Sequence, residues 1–580
     1  MRLPIERVHV EALAGAFPEL AFLRDQLRFG NVVSLPLGQL SAPQLAYLGR
    51  RYESAGPALA TQAAQLRSLE RALGTDTRRF AAGDPLEMLL PALVRYLAAD
   101  ARHGWLFGMN AAGKPLAYLV TRIDYIAPSS EEMGKVMLEL KANAKRTIVN
   151  SAIRISAGDL PGRTVGEILL DKGYLKETPE LLQAYEASAE RYFEWRGRYG
   201  EQFSASGIGF YAEDPNATHR DTDWARKDVV VLSSSGGAAR LVNDEGILPP
   251  RTASLDASGD ILGAYLRKAA KSNLYDAEAG MREIAASLPP GMFRELPVHG
   301  YIFMFHLELH HYLWVHVDDI RPYEYQPALK QKLVLPGEHT ELIDILTAEM
   351  DVLADDIVAG KSGGTTVLCA GPPGVGKTLT AEVYAEIIRR PLYRVHSGQL
   401  GLSVGALEAA LKDVLVRAQR WGAVMLIDEA DVYIKRREDD IAMNAVVGVF
   451  LRVLEYFNGL LFLTTNRVDD IDEAIFSRCI ALIKYTAPDG AARRRIWQVM
   501  AEQFGLELDA PLLDELVELF PAASGRDIKG LAKLVAKYSR RKGIEPGLDT
   551  FRRCALFRAL DAAPAPAPAS ERRLSNLWFI

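Results

Sequence analysis

Apolar residues recur at helical spacing from Ala42 to about Arg102, as in Leu45, Leu48 and Tyr52, then Leu66, Leu69 and Leu73, and again in MLLPALVRYLAADAR. That period predicts amphipathic helices. At Gly104 the texture changes. GWLFGMN and LAYLVTRIDYIA, separated by a turn signal in AAGKP, read as two strands, and further β-branched residues follow from Val136 to Ile155. A helical stretch, PELLQAYEASAERYFEWRGRYG, precedes further strands in DVVVLSSSG and YIFMFHLELHHYLWVHV. After Pro322 short apolar runs at 365–371, 391–396, 423–428, 459–465 and 481–485 alternate with amphipathic helices. This alternation predicts a parallel sheet with crossover helices. From Ala487 to about Gly543 only helices are expected, and the final residues carry an APAPAP spacer followed by ERRLSNLWFI. No internal repeat is visible. The expected organisation is a helical region at 1–103, an α+β domain at 104–325, an α/β unit at 326–486, a helical unit at 487–555 and a linker with a hydrophobic tail at 556–580.

Composition narrows the class. The 580 residues are 49% hydrophobic and 24% charged, an ordinary globular balance that excludes a disordered chain. Three cysteines, Cys369, Cys479 and Cys554, are too few for a disulfide framework and have no CxxC spacing for zinc, so a reducing cytoplasm is the expected location. Arg2, Glu6, Arg7 and Glu11 interrupt the N-terminal residues before a signal-like apolar run forms, and no membrane span is expected. A net charge of −6 offers no general attraction for nucleic acid, which is therefore not an expected partner.

The chemistry concentrates after residue 365. Gly371, Pro372, Pro373, Gly374, Val375, Gly376, Lys377 and Thr378 match GxxxxGK[ST], and the match follows an expected strand and opens an expected helix. In such a loop backbone N–H groups converge on phosphate oxygens, the lysine reaches the β and γ phosphates, and the Thr378 hydroxyl takes Mg²⁺. Fifty residues later VMLIDEAD ends an apolar strand in Asp428 and Glu429, placing two carboxylates where open α/β sheets bind ligands. Asp428 suits the Mg²⁺ shell, and Glu429 suits polarising the attacking water.

Together with DEAD at 428–431, TTNR at 464–467, DEAIFSR at 472–478 and SGRDIKGL at 524–531, this loop resembles the AAA family of ATPases. The likeness is to the subgroup with RWGAVxLxDEADV and FLRxLEY signatures, here Arg420 to Val432 and Phe450 to Tyr456. It covers about residues 325–545. It implies a multidomain chain: an α/β P-loop NTPase fold with a C-terminal helical lid, preceded by the helical segment and the α+β domain. It further implies a Mg²⁺-ATP-dependent ATPase that remodels a protein partner in a homo-oligomeric, usually hexameric, ring. By the same resemblance Asn466 is the sensor asparagine near the γ-phosphate, Arg478 the finger presented to the neighbouring subunit, and Arg526 the lid's sensor arginine. Ser403 falls where threading members carry a pore-loop aromatic, which favours disassembly over processive threading.

Two further features stand apart. His306, Glu308 and His310 alternate as if on one face of a strand, which is more often a hydrated surface than a zinc site. Trp578, Phe579 and Ile580 end the proline spacer as a candidate docking peptide. Two rival functions stay open: a nucleotide-driven switch or scaffold in which turnover only resets the state, and a nucleic-acid motor or clamp loader, which the acidic balance disfavours.

Overall fold

The computed structural model describes the chain outside residues 1, 28–29, 37–39, 57–58, 75–77, 131, 145–146, 213–223, 225–228, 234–236, 246–278, 280–281, 284–285, 290, 349–363, 402, 437–440, 456, 559 and 561–580. The APAPAP spacer and the Trp578-Phe579-Ile580 tail lie outside the described residues. Two compact units emerge, one formed by 1–199 with 203–322, the other by 200–202 with 323–580.

In the first unit the helices Ala42–Ser54, Ala60–Gly74 and Leu89–Ala98 take the expected helical positions. Their apolar stripes do not close a core of their own. Leu45, Leu66, Leu90 and Leu93 belong to the same buried cluster as Leu119, Leu138 and Trp314, so the helical segment and the strands that follow share one interior. A short antiparallel pair, Arg2–Glu6 with Val32–Pro36, precedes the helices. One antiparallel sheet runs in the order Thr147–Ser156, Lys135–Ala144, Pro115–Ile126, Leu106–Met109, Tyr174–Lys176. Burial alternates strictly along Lys135–Ala144, the period-two signature of a strand with one covered face. A second antiparallel sheet has Tyr301–His306 and His311–His316 among its strands, paired as a hairpin with His306 opposite His311.

That hairpin corrects the single strand expected through 306–311. Residues 307–310 are its turn, His310 adopts a left-handed φ of 57°, and the His306 ring accepts the N–H groups of Glu308 and Leu309 at 3.2 Å each. The alternation was that of a turn. Among the described residues no group of three His, Cys, Asp or Glu is placed to hold a metal ion.

In the second unit the five expected strands form one parallel sheet in the order Leu392–His396, Val424–Asp428, Leu460–Thr465, Thr365–Ala370, Ala481–Lys484. Most of their residues are buried, because a parallel sheet is covered on both faces. Since all five run the same way, the loops after Ala370, Asp428 and Thr465 emerge at one edge. Four helices follow, Gly490–Phe504, Ala510–Leu519, Gly525–Lys542 and Leu548–Leu556. Asp489, Asp509 and Ser524 cap the first three through side-chain oxygens, and Trp497, Leu516, Ile528, Leu531, Val535 and Phe551 give them a separate core. No helix among the described residues is long and apolar enough to cross a membrane.

Candidate functional site: a phosphate loop facing two carboxylates

The strand Thr365–Ala370 delivers the chain into the loop 371–376, and the helix Lys377–Ile387 begins at its end. Gly371 passes so close to the backbone of Tyr485 that a Cβ would stand 2.4 Å from the Tyr485 carbonyl oxygen. Gly374 has φ of 82°, and a Cβ there would meet Ser524 Oγ at 2.8 Å and Arg526 Cβ at 2.9 Å. Only glycine permits that conformation and that approach together. The N–H of Arg526 donates to the Gly374 carbonyl at 3.2 Å, so the start of the helix Gly525–Lys542 rests on the loop. Arg526 is thereby brought to the loop by its backbone.

Lys377 Nζ donates to the carbonyls of Gly371 and Pro372, each at 2.7 Å, and to Asn466 Oδ1 at 2.9 Å. Burial pushes this ammonium below the ordinary lysine value, the Asp431 and Asp428 carboxylates oppose that shift, and the Arg526 charge reinforces it. A cation held in a pocket of carbonyls, with its hydration largely removed, is poised for an anionic ligand.

Asp428 closes the strand Val424–Asp428. Its Oδ1 accepts from Thr378 Oγ1 at 3.0 Å and from Thr464 Oγ1 at 2.5 Å, while Oδ2 faces Arg394 Nη2 at 2.5 Å. Burial alone would raise its pKa, yet the Thr464 hydroxyl, the Arg394 charge and the Thr378 hydroxyl together hold it below the usual value. Glu429 follows with φ of 56° and ψ of 52°, its N–H donating to Thr464 Oγ1 at 3.0 Å and its residue exposed. Asp431 accepts the Asn466 N–H at 3.0 Å and the Thr465 hydroxyl, fixing the turn that carries Asn466. The hydroxyl of Thr378 and the carboxylate of Asp428 are hard oxygen donors of the kind Mg²⁺ takes, so the residues fit that ion.

The structure thus pairs Lys377 with Asn466 and Thr378 with Asp428 by hydrogen bonds, brings the two pairs to one sheet edge, and sets Glu429 beside them. Arg478 is held elsewhere within its own chain: it pairs with Glu455 and donates to the Ala474 carbonyl at 3.0 Å. Ser403 is the exposed residue that precedes the helix Val404–Arg420. Three participants carried no assigned role in the sequence. Asp431 and Thr464 lie inside quoted motifs, and Arg394 is signalled only by a charged residue amid the strand Leu392–His396.

Comparison with known proteins agrees with this geometry. The family model described as ATPase family associated with various cellular activities (AAA) matches residues 367–486. A 26S proteasome regulatory subunit homolog of Methanothermobacter thermautotrophicus is 32% identical over 172 residues, 28% of this chain and 46% of that protein. Fidgetin-like protein 1 of Drosophila melanogaster is 29% identical over 177 residues, 29% of this chain and 34% of that protein. The 26S proteasome regulatory subunit 8 of Caenorhabditis elegans is 26% identical over 227 residues, 37% of this chain and 51% of that protein. The chain therefore spans about a third to a half of the length of these relatives. A glycine loop seated on its own lysine, a hydroxyl and a carboxylate at adjoining strand ends, and this family match lead to one conclusion: the chain carries an ATPase domain of the AAA family.

Proposed function

We propose that this chain is a Mg²⁺-ATP-dependent remodeller that acts as a homo-oligomeric ring, with residues 326–486 and a lid at 487–555 as its motor and residues 104–325 selecting a protein partner. The observation that supports it most is the joining of Lys377, Thr378, Asp428 and Asn466 at one sheet edge, with Glu429 adjacent. Lys377 binds the β and γ phosphates, the loop amides orient them, and Glu429 accepts the proton of the attacking water. Mg²⁺, held by Thr378 and Asp428, supplies charge neutralisation at the phosphate oxygens. Asn466, anchored through Asp431, positions the water, while Arg526 reaches the phosphates from the lid and Arg478 serves the neighbouring subunit. Relatives named as proteasome regulatory subunits favour a protein as the substrate. Ser403, lacking a ring with which to grip a threaded chain, favours disassembly of a complex over processive unfolding.

The decisive variant is Glu429→Gln. ATP affinity is expected to persist while turnover falls by about 10²–10⁴, the usual contribution of a positioned base. Equilibrium binding of a fluorescent ATP analogue, compared with phosphate release, reads both; undiminished turnover removes Glu429 from the mechanism.

A further inference from the structure

Arg394 has no part in the phosphate chemistry just described, yet it makes an ion pair to its metal-holding carboxylate. The strand Leu392–His396 pairs in parallel with Val424–Asp428, Arg394 opposite Leu426 and His396 opposite Asp428. Residues two apart on a strand share a face, so the long Arg394 side chain reaches Asp428 diagonally across the pair. Its Nη2 stands 2.5 Å from Asp428 Oδ2 and its Nη1 3.6 Å from Glu382 Oε1. Glu382 lies one turn beyond Thr378 on the helix Lys377–Ile387. The other Asp428 oxygen already accepts from Thr378 and Thr464. Both oxygens of the carboxylate are therefore bonded to donors of this chain, and one of those donors carries a full positive charge. Asp428 is only 8% exposed, so solvent screens this charge poorly from anything that approaches the carboxylate.

We propose that Arg394 is a positioning residue that serves as a resident counter-ion for Asp428, so that a divalent cation reaches the carboxylate in competition with the guanidinium. The inference rests on the metal-holding role given to Asp428 above. Two consequences follow from the chemistry. Without the divalent cation, Arg394 keeps the isolated carboxylate neutralised and correctly turned. With it, the fixed guanidinium charge opposes the incoming ion, so Arg394 sets the Mg²⁺ concentration at which nucleotide is held. A purely structural Arg394, tying the strand to Glu382, would leave that concentration unchanged.

The test is a Mg²⁺ titration of fluorescent ATP-analogue binding to the full chain, in the wild type, Arg394→Gln, Arg394→Lys and Asp428→Asn, with thermal melting run beside it. For Arg394→Gln the half-saturating Mg²⁺ concentration is expected to fall about fivefold, the worth of a partly exposed ion pair. Arg394→Lys keeps the charge without the planar fork and is expected to lower it by about twofold. The lysine variant decides the matter if the glutamine variant does not fold. An unchanged or raised Mg²⁺ requirement in the folded variants, with wild-type binding clearly Mg²⁺-dependent, overturns the role of Arg394 alone. Binding that ignores Mg²⁺ equally in wild type and Asp428→Asn overturns the metal role of Asp428, and this inference with it.

Discussion

The parallel sheet after residue 365 and the antiparallel sheets before residue 322 both bury charged and amide side chains, but they use them in opposite ways. Before residue 322, Glu177, Lys176 and Asn243 are closed off by the backbone. Glu177, 3% exposed, accepts the N–H groups of Arg102, His103 and Trp105. Lys176 donates to the carbonyls of Tyr96 and Ala99, and Asn243 donates to those of Trp195, Arg196 and Arg198 around the C-terminal end of the helix Pro179–Arg196. Each spends its polar atoms on backbone groups of neighbouring segments. At the edge of the parallel sheet, by contrast, Glu429 and Asn466 remain exposed, and Lys377 is held by carbonyls that a phosphate can replace. A buried charge is thus no sign of a site. What marks one is a charge whose partners can be exchanged.

The comparison breaks most sharply at Arg478. On the role proposed for it, its substitution by Ala is expected to lower ATP turnover by about 10³–10⁵, the effect attributed to arginine fingers, with little change in melting. Mixing that variant with Lys377→Ala should restore part of the activity, because the proposed ring would then contain interfaces pairing an intact loop with an intact Arg478; the gain should fade on dilution. Normal phosphate release by Arg478→Ala would count against a site shared between subunits and in favour of a nucleotide switch.

A smaller effect, of the opposite kind, is expected before residue 322. Glu177→Ala strands three backbone N–H groups and should cost about 3–5 kcal/mol in urea denaturation while leaving ATP-analogue affinity unchanged. Retained stability would mean that these amides find other partners.

The smallest effect is one of pH. Burial pushes the His316 imidazole from 6.5 down to about 4, the Asp318 carboxylate offsetting part of the shift. Between those values the unfolded chain binds a proton that the folded chain does not, so stability is greatest above pH 6.5 and falls as the pH drops toward 4. The expected loss is about 3 kcal/mol, and His316→Gln should flatten this part of the stability profile. A slope identical in the two proteins would show that His316 is already charged in the folded state.

How much of this was legible in the sequence follows from the same contrast. The five strands between 365 and 485 stood out because a strand covered on both faces is a continuous apolar run, here bounded by Gly, Pro and charged residues. The loop and Asp428-Glu429 stood out because phosphate chemistry demands fixed spacing along one chain segment. Arg394 did not, since its bond to Asp428 spans two strands and depends on register. Before residue 322 the strands were visible as texture, but the interior shared by Leu45, Leu66 and Trp314 was not, because helical and strand periods say which face is apolar and nothing of what covers it. His306 to His311 misled because Leu307, Glu308, Leu309 and His310 alternate apolar and polar residues within the turn itself, which imitates the two-residue period of a strand.

One detail of the site has a consequence for how the sequence can change. Glu429 holds a left-handed backbone at φ of 56°, a conformation that costs a residue with a side chain roughly 1–2 kcal/mol and glycine almost nothing. Glycine at 429 would relax the chain and in the same stroke delete the carboxylate proposed to polarise water. Selection for thermal robustness and selection for turnover therefore pull this single position in opposite directions, and drift toward the more comfortable residue would leave a protein that grips ATP more durably than it spends it.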